Sequence, residues 1–206
     1  MGTRLYLVRH GETAWNAIKR FQGHSDIPLS SKGKQQSANL LKHMQQRGIT
    51  IDAVYSSDLC RTVETAEILL QHSNIEITST KELREINFGE WEGYTLEELH
   101  SNYPEQLSKW WQSPLTTRIS GGESLADVVE RVMPQVKNII KNHREQNVLL
   151  ASHGGVIRVI ISSVLGINMN QYWRLHLDNC SLSVLYFPSG DIDQGVLELY
   201  NQTAVY

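Results

Sequence analysis

The chain has 206 residues, of which 40% are hydrophobic and 20% charged, and its formal net charge is −3. That length suits a single domain with one substantial core, with room for a modest insertion. The composition is ordinary for a globular chain and the balance slightly acidic, which excludes a protein drawn to nucleic acid or an anionic membrane by overall charge; a bound anion must be met by locally gathered cations.

In chain order, Leu5 to Val8 reads as a short buried strand. Ser30 and Ser31 cap a helix from about Lys32 to Arg47, with Gly48 as its stop and Ala38, Leu41 and Met44 as its apolar stripe. Ile51 to Tyr55 reads as a second strand and Leu59 to Leu70 as a second helix. Ile75 to Pro114 is less regular, holds Trp91, Trp110 and Trp111, and reads as an insertion with short helices. Glu123 to Gln146 is a long helical pattern with Val128, Val132, Val136 and Ile139 on one side, in which Pro134 is expected to make a kink or a break. Val148 to Ala151 is a third buried strand and Val156 to Leu165 a further helix; Ser181 to Phe187 and Val196 to Tyr200 form a terminal pair of strands. This alternation predicts a three-layer α/β/α sandwich with a mostly parallel central sheet. The prediction is a single domain over 1–206, with a smaller helical insertion at about 86–120.

Active sites in such sheets lie beyond the carboxyl ends of the strands. Two predicted strands end there in His-Gly: Leu7-Val8-Arg9-His10-Gly11 and Leu150-Ala151-Ser152-His153-Gly154. Parallel strands share that edge, so His10 and His153 are expected to meet. Between them, Tyr55-Ser56-Ser57-Asp58-Leu59-Cys60-Arg61 ends a strand and opens a helix with Arg61 in its first turn. Arg9 and Arg61 supply planar guanidinium forks that can grip a phosphoryl group, helped by backbone N–H groups at helix N-termini. Two arginines and two histidines suit phosphoryl transfer, in which a histidine can attack phosphorus directly. The leaving oxygen then needs a proton donor, and Leu83 to Gly93 offers Glu85, Glu90 and Glu92. Each residue alone has a bland reading: a strand-end histidine, a surface arginine, a solvated glutamate, a packing tryptophan. The functional reading gains because the basic groups recur at one structural place on separate strands.

Leu7 to Thr13 with Trp15-Asn16, Phe21 to Ser30 with Gly33, Ser56 to Thr62 through Ala66, Leu83 to Gly93, Gly121 to Ser124, and Ser152 to Gly155 together resemble the histidine phosphatase superfamily, the phosphoglycerate-mutase-like proteins, over nearly the whole chain. The resemblance implies His10 as the nucleophile that becomes phosphohistidine. It implies Arg9, Arg61 and His153 as the rest of the phosphate pocket, and Asn16 as a further phosphate contact. It implies Glu85 as the proton donor, Gln22 and Gly23 at the entrance, and the backbone N–H of Gly154 as an extra donor. It implies neither a metal nor a nucleotide cofactor. His10-Gly11-Glu12 formally fits the H-x-E of zinc deaminases, but no Pro-Cys-x-x-Cys follows.

The chain is compact beside the longer cofactor-dependent mutases of that family, which favours a phosphatase acting on a small-molecule phosphate monoester. Phe21 to Leu29, Gly121 to Val132 and Leu177 to Ser183 look most like the α-ribazole phosphatase and broad-specificity branch; phosphoserine phosphatase and phosphoglycerate mutase are the alternatives. Trp110 and Trp111 offer either a flat wall for an aromatic leaving group or simple packing. A non-catalytic phosphate-binding scaffold on the same fold is the remote alternative. No nucleic-acid or membrane partner is expected, and a homodimer is left open. Cys60 and Cys180 have neither a disulfide-framework nor a zinc spacing, and the chain runs into Arg4-Leu5-Tyr6 with no signal-peptide core, so a cytoplasmic location is expected.

Overall fold

The computed structural model describes residues 2–204; Met1, Val205 and Tyr206, and with them the ends of the expected 1–206 span, lie outside the described residues. A six-stranded sheet runs in the order β3-β2-β4-β1-β5-β6. Its strands are β1 (Thr3–Arg9), β2 (Ala53–Ser57), β3 (Ile77–Thr80), β4 (Asn147–Ser152), β5 (Leu182–Phe187) and β6 (Val196–Gln202). β3, β2, β4 and β1 are mutually parallel, while β5 runs antiparallel to β1 and β6 antiparallel to β5. The central strands are continuous apolar runs because helices cover both faces of the sheet.

Alternation along each strand divides the core. Leu5 and Leu7 of β1 and Val148 and Leu150 of β4 pack on one face with α6 (Leu125–Asn142) and α7 (Gly154–Leu165). Tyr6, Val8, Leu149 and Ala151 pack on the other with α2 (Ser31–Gln46) and α3 (Cys60–Leu69). The result is the expected three-layer sandwich. The remaining helices are the single turn α1 (Ala14–Ala17) after β1, and α4 (Leu96–Asn102) and α5 (Pro104–Gln112) in the middle segment.

Several local expectations shift. The edge strand β3 was missed: Ile77-Thr78-Ser79-Thr80 is polar and half exposed, so it carries no apolar run. In α2 the side chain of Ser30 accepts from Gly33 N as the cap foretold, but the buried stripe is Gly33, Ser37, Leu40 and Met44, rotated from the expected one. Small residues at 33 and 37 let this helix lie close to its neighbours. Pro134 does not break α6. It and Glu130, whose carbonyl loses its partner, are both exposed, so water can satisfy that oxygen.

The middle segment buries Trp91, Leu99, Leu107, Trp110 and Ile119 in the same cluster as α6 and α7. Buried Trp110 lies edge-on to Trp91, Trp111 and Tyr172 and so packs, while Trp111 is exposed; neither lines the cleft described below. Among the described residues no helix is long and apolar enough to cross a membrane.

Candidate active site

β1 and β4 are adjacent and in register through Val8–Ala151 and Arg9–Ser152. The next residue on each strand is a histidine, and the two rings meet edge-on with centroids 5.2 Å apart. Both are buried. The Nδ1 of His10 lies 2.7 Å from the carbonyl oxygen of Gly11. A carbonyl only accepts, so Nδ1 carries the hydrogen and Nε2 is the basic nitrogen. Burial first, and then the charges of Arg61 and Arg9, hold the His10 imidazole well below the usual histidine range. Burial, Arg61 and His10 do the same to His153. Both rings are therefore neutral at neutral pH.

Arg9 and Arg61 approach from two sides. Arg61 sits in the first turn of α3, fully buried, and donates to the carbonyls of Ser25 and Gly23 at 2.8 Å each. Arg9 donates to the carbonyl of Leu177 at 2.6 Å. Burial, followed by the nearby charge of Arg158, lowers Arg9 to about 10, which leaves it cationic. Burial lowers Arg61 as well, against the raising influence of Glu85. The Nε atoms of both arginines and both ring nitrogens of His153 are buried with no protein partner. Buried donors left unpaired cost about 1–3 kcal/mol each, so a cluster of them marks a place for a ligand.

A cleft of about 310 Å³ opens over these groups. Arg9, His10, Asn16, Gln22, Gly23, Arg61 and Glu85 line it, all of them expected from the sequence. The Asn16 oxygen accepts from the backbone N–H of Thr13 and from the Asn179 amide, which leaves its NH₂ end for a ligand. Gln22 accepts from the Thr13 hydroxyl at 3.0 Å. Gly23 has φ +52, and a Cβ there would run into the Glu92 carboxylate. That carboxylate ties His24 N, Ser25 N and Phe88 N together and so shapes the loop whose carbonyls hold Arg61.

Two expected residues stand apart. His153 backs His10 without lining the cleft, and Gly154 packs on the Arg9 guanidinium. The glycine N–H that is used is that of Gly155, which donates to both Glu85 carboxylate oxygens at 3.1 and 3.2 Å. A Cβ at Gly155 would collide with that carboxylate. Lys19, Arg20, Phe21, Phe88 and Asn179 also line the cleft and were not foreseen as site residues. Asn179 donates to the His10 carbonyl at 3.2 Å. Its position depends on β5 pairing with β1, which no local pattern announces. Phe21 and Phe88 meet edge to face at 4.9 Å. Cys60, beside Arg61, is not a competing nucleophile, because burial pushes its thiol up to about 12.

The model of the histidine phosphatase superfamily (branch 1) matches residues 5–203. The chain belongs to the histidine phosphatase superfamily. Phosphoserine phosphatase 1 of Hydrogenobacter thermophilus is 36% identical over 183 residues, which are 89% of this chain and 86% of that protein. A Salmonella paratyphi B protein named "Probable phosphoglycerate mutase GpmB" is 37% identical over 185 residues, 87% and 83% of the two chains. Among solved structures, the alpha-ribazole phosphatase of Shigella flexneri superposes with a TM-score of 0.85 at 28% identity, covering 97% of this chain and 96% of that one. As a phosphatase of this superfamily the chain has its cleft where the sheet's carboxyl edge places it.

The two neutral histidines give the phosphatase an acid-sensitive fold. Unfolded, their imidazoles titrate near 6.5; folded, both titrate well below that. The unfolded chain therefore binds protons that the native state refuses, and stability present above pH 6.5 is lost as pH falls below it. Just below that pH the unfolding free energy is expected to fall with a slope approaching ~2.7 kcal/mol per pH unit, ~1.4 for each histidine. Urea melts across pH 4.5–7.5 measure it, and His153→Asn should halve the slope; an unchanged slope in that variant contradicts the assignment.

Proposed function

We propose that the protein hydrolyses small phosphate monoesters through a phosphohistidine at His10, with charge handled by protein side chains rather than by a metal. The observation that carries this reading is the pair of buried, unpartnered Nε donors of Arg9 and Arg61 in a cleft with a histidine whose Nδ1 is already committed to Gly11. Such an arrangement is preorganised for the equatorial oxygens of a phosphoryl group in flight.

In the first step the His10 Nε2 lone pair forms the N–P bond while the ester P–O bond breaks. The departing alkoxide takes a proton from Glu85, the one carboxyl among the described residues lining the cleft. In the second step a water oxygen attacks phosphorus, its proton passes to the Glu85 carboxylate, and the N–P bond breaks to release phosphate and neutral His10. The hydrogen on His10 Nδ1 stays there throughout, donated to the Gly11 carbonyl.

Phe21 and Phe88 favour a substrate with a planar apolar leaving group, such as α-ribazole 5′-phosphate. Lys19 supports a second reading, a carboxylate-bearing ester such as phosphoserine. A rate screen over α-ribazole 5′-phosphate, phosphoserine, 3-phosphoglycerate and p-nitrophenyl phosphate separates these, with mutase product assayed in parallel. Turnover is expected to be unchanged by EDTA; strict dependence on added Mg²⁺ contradicts the mechanism. In the step that forms phosphohistidine, tracked by the burst of released alcohol, Glu85→Gln should slow alkyl esters by ~10²–10⁴-fold while sparing p-nitrophenyl phosphate, whose leaving group needs no proton. Equal losses on both would remove Glu85 from the acid role.

A further inference from the structure

Glu85 sits on an irregular segment between a short 3-10 turn at Lys81–Leu83 and another at Gly89–Trp91, with no regular element to hold it. A guanidinium from α6 ties this segment down at three main-chain oxygens. Arg131, in the second turn of α6, donates through Nη1 to the carbonyls of Glu82 at 2.7 Å and Arg84 at 2.8 Å, and through Nη2 to the carbonyl of Glu85 at 2.9 Å. Its Nε and Nη2 also form a two-point bridge to Glu123, at 2.8 and 2.9 Å. Glu123 in turn accepts the backbone N–H of Asn87 at 2.8 Å. One ion pair thus grips the chain on both sides of Glu85, while the carboxylate itself is met by Ile86 N and Gly155 N. His24 Nε2 adds a second donor to the Glu85 carbonyl at 2.9 Å, and Arg84 pairs with Asp58 at 2.6 Å.

We propose that Arg131 and Glu123 are positioning residues for proton delivery: they set where the Glu85 carboxyl stands relative to the leaving oxygen, and so set how basic a leaving group the enzyme can expel. Neither side chain lines the cleft, and neither is needed to grip the phosphoryl group, which falls to Arg9, Arg61, His10 and Asn16. All the contacts of Arg131 to the segment go to main-chain oxygens, so its effect reaches the reaction through the placement of Glu85. A lysine cannot reproduce it, because three donors on one nitrogen cannot span three carbonyls and a carboxylate fork.

The proposal rests on Glu85 being the acid, and the test separates the two. Arg131→Lys, Glu123→Gln and Glu85→Gln are each assayed in single turnovers, by the rate of release of the leaving alcohol or phenol, on phosphate esters of graded leaving-group basicity, from p-nitrophenyl through phenyl to alkyl, with thermal melts alongside. Arg131→Lys is expected to keep the single-turnover release of p-nitrophenol within ~3-fold of wild type and to lose ~10–100-fold in that rate on alkyl esters, with little change in the half-saturating substrate concentration. In the Glu85→Gln background the same change is expected to add nothing. A uniform loss on all esters, or an additive loss in the double variant, overturns the proposal. If Glu85→Gln is itself uniform across the series, the acid assignment falls and the positioning role falls with it. If Glu85→Gln is selective but folded Arg131→Lys is not, only the positioning role falls. Glu123→Gln keeps a hydrogen-bonding oxygen and gives the same readout should Arg131→Lys fail to fold.

Discussion

Replacement of His10 by asparagine should lower turnover by at least ~10⁴-fold, about 5.4 kcal/mol of transition-state stabilisation, with every phosphate ester affected alike. The uniformity matters as much as the size. Every ester needs the same N–P bond formed as its P–O bond breaks, so an easy ester such as p-nitrophenyl phosphate gains no exemption. Asparagine keeps a polar group near the Gly11 carbonyl but offers no basic nitrogen in place of Nε2. Rapid quenching of the wild-type protein with substrate should trap one phosphoryl group per chain, stable to base and labile to acid, and the variant should trap none. Binding of inorganic phosphate should survive, since Arg9, Arg61 and Asn16 remain. A variant that still turns over at a tenth of the wild-type rate would mean that another group attacks phosphorus, and the scaffold reading gains if the wild-type protein itself shows no turnover.

The parts of the site that were legible are those the sheet delivers. His10 and His153 could be paired on paper because each follows an apolar run and precedes glycine, and parallel neighbours in register bring equivalent ends together. Arg61 could be placed because a strand, a short loop and a helix start fix where a first-turn residue points. Glu85 is different: its surroundings are irregular, and only the family pattern singled it out from Glu90 and Glu92. The structure makes Glu92 a loop clamp at His24, Ser25 and Phe88 rather than a reactive carboxyl.

What could not be read depends on contacts between distant segments. Asn179 reaches His10 because β5 inserts antiparallel beside β1, pairing Val8 with Leu182 from the far end of the chain. Local periodicity carries no trace of that pairing. The Arg131 network spans α6 and the turn before Glu85, and the apolar period of that helix does not single Arg131 out. Likewise β3 was invisible because a polar edge strand carries no apolar run, and Thr78 and Ser79 are both exposed. In each case the deciding interaction is a long-range hydrogen bond, whereas the signals that worked were apolar period and strand-end position.

Arg61→Ala should reduce kcat/KM by ~10⁴-fold, and Arg61→Lys should recover no more than about tenfold of that loss. The argument lies in how the side chain is held. Its Nη1 and Nη2 are each committed on one hydrogen to the carbonyls of Ser25 and Gly23, which fixes the plane of the guanidinium and leaves the remaining hydrogens and Nε for the phosphoryl oxygens. A lysine ammonium is a single point with three donors; holding both carbonyls would leave one for the ligand, and letting go of them would free the loop that Glu92 shapes. The loss should also appear in the ground state, because the phosphate carries its charge before the reaction begins, so the inhibition constant for inorganic phosphate should rise in Arg61→Lys and stay put in Glu85→Gln. That contrast separates a residue that grips the phosphoryl group from one that serves the leaving oxygen. Wild-type kcat/KM in the lysine variant would show that charge alone suffices and that the geometry of the fork contributes nothing.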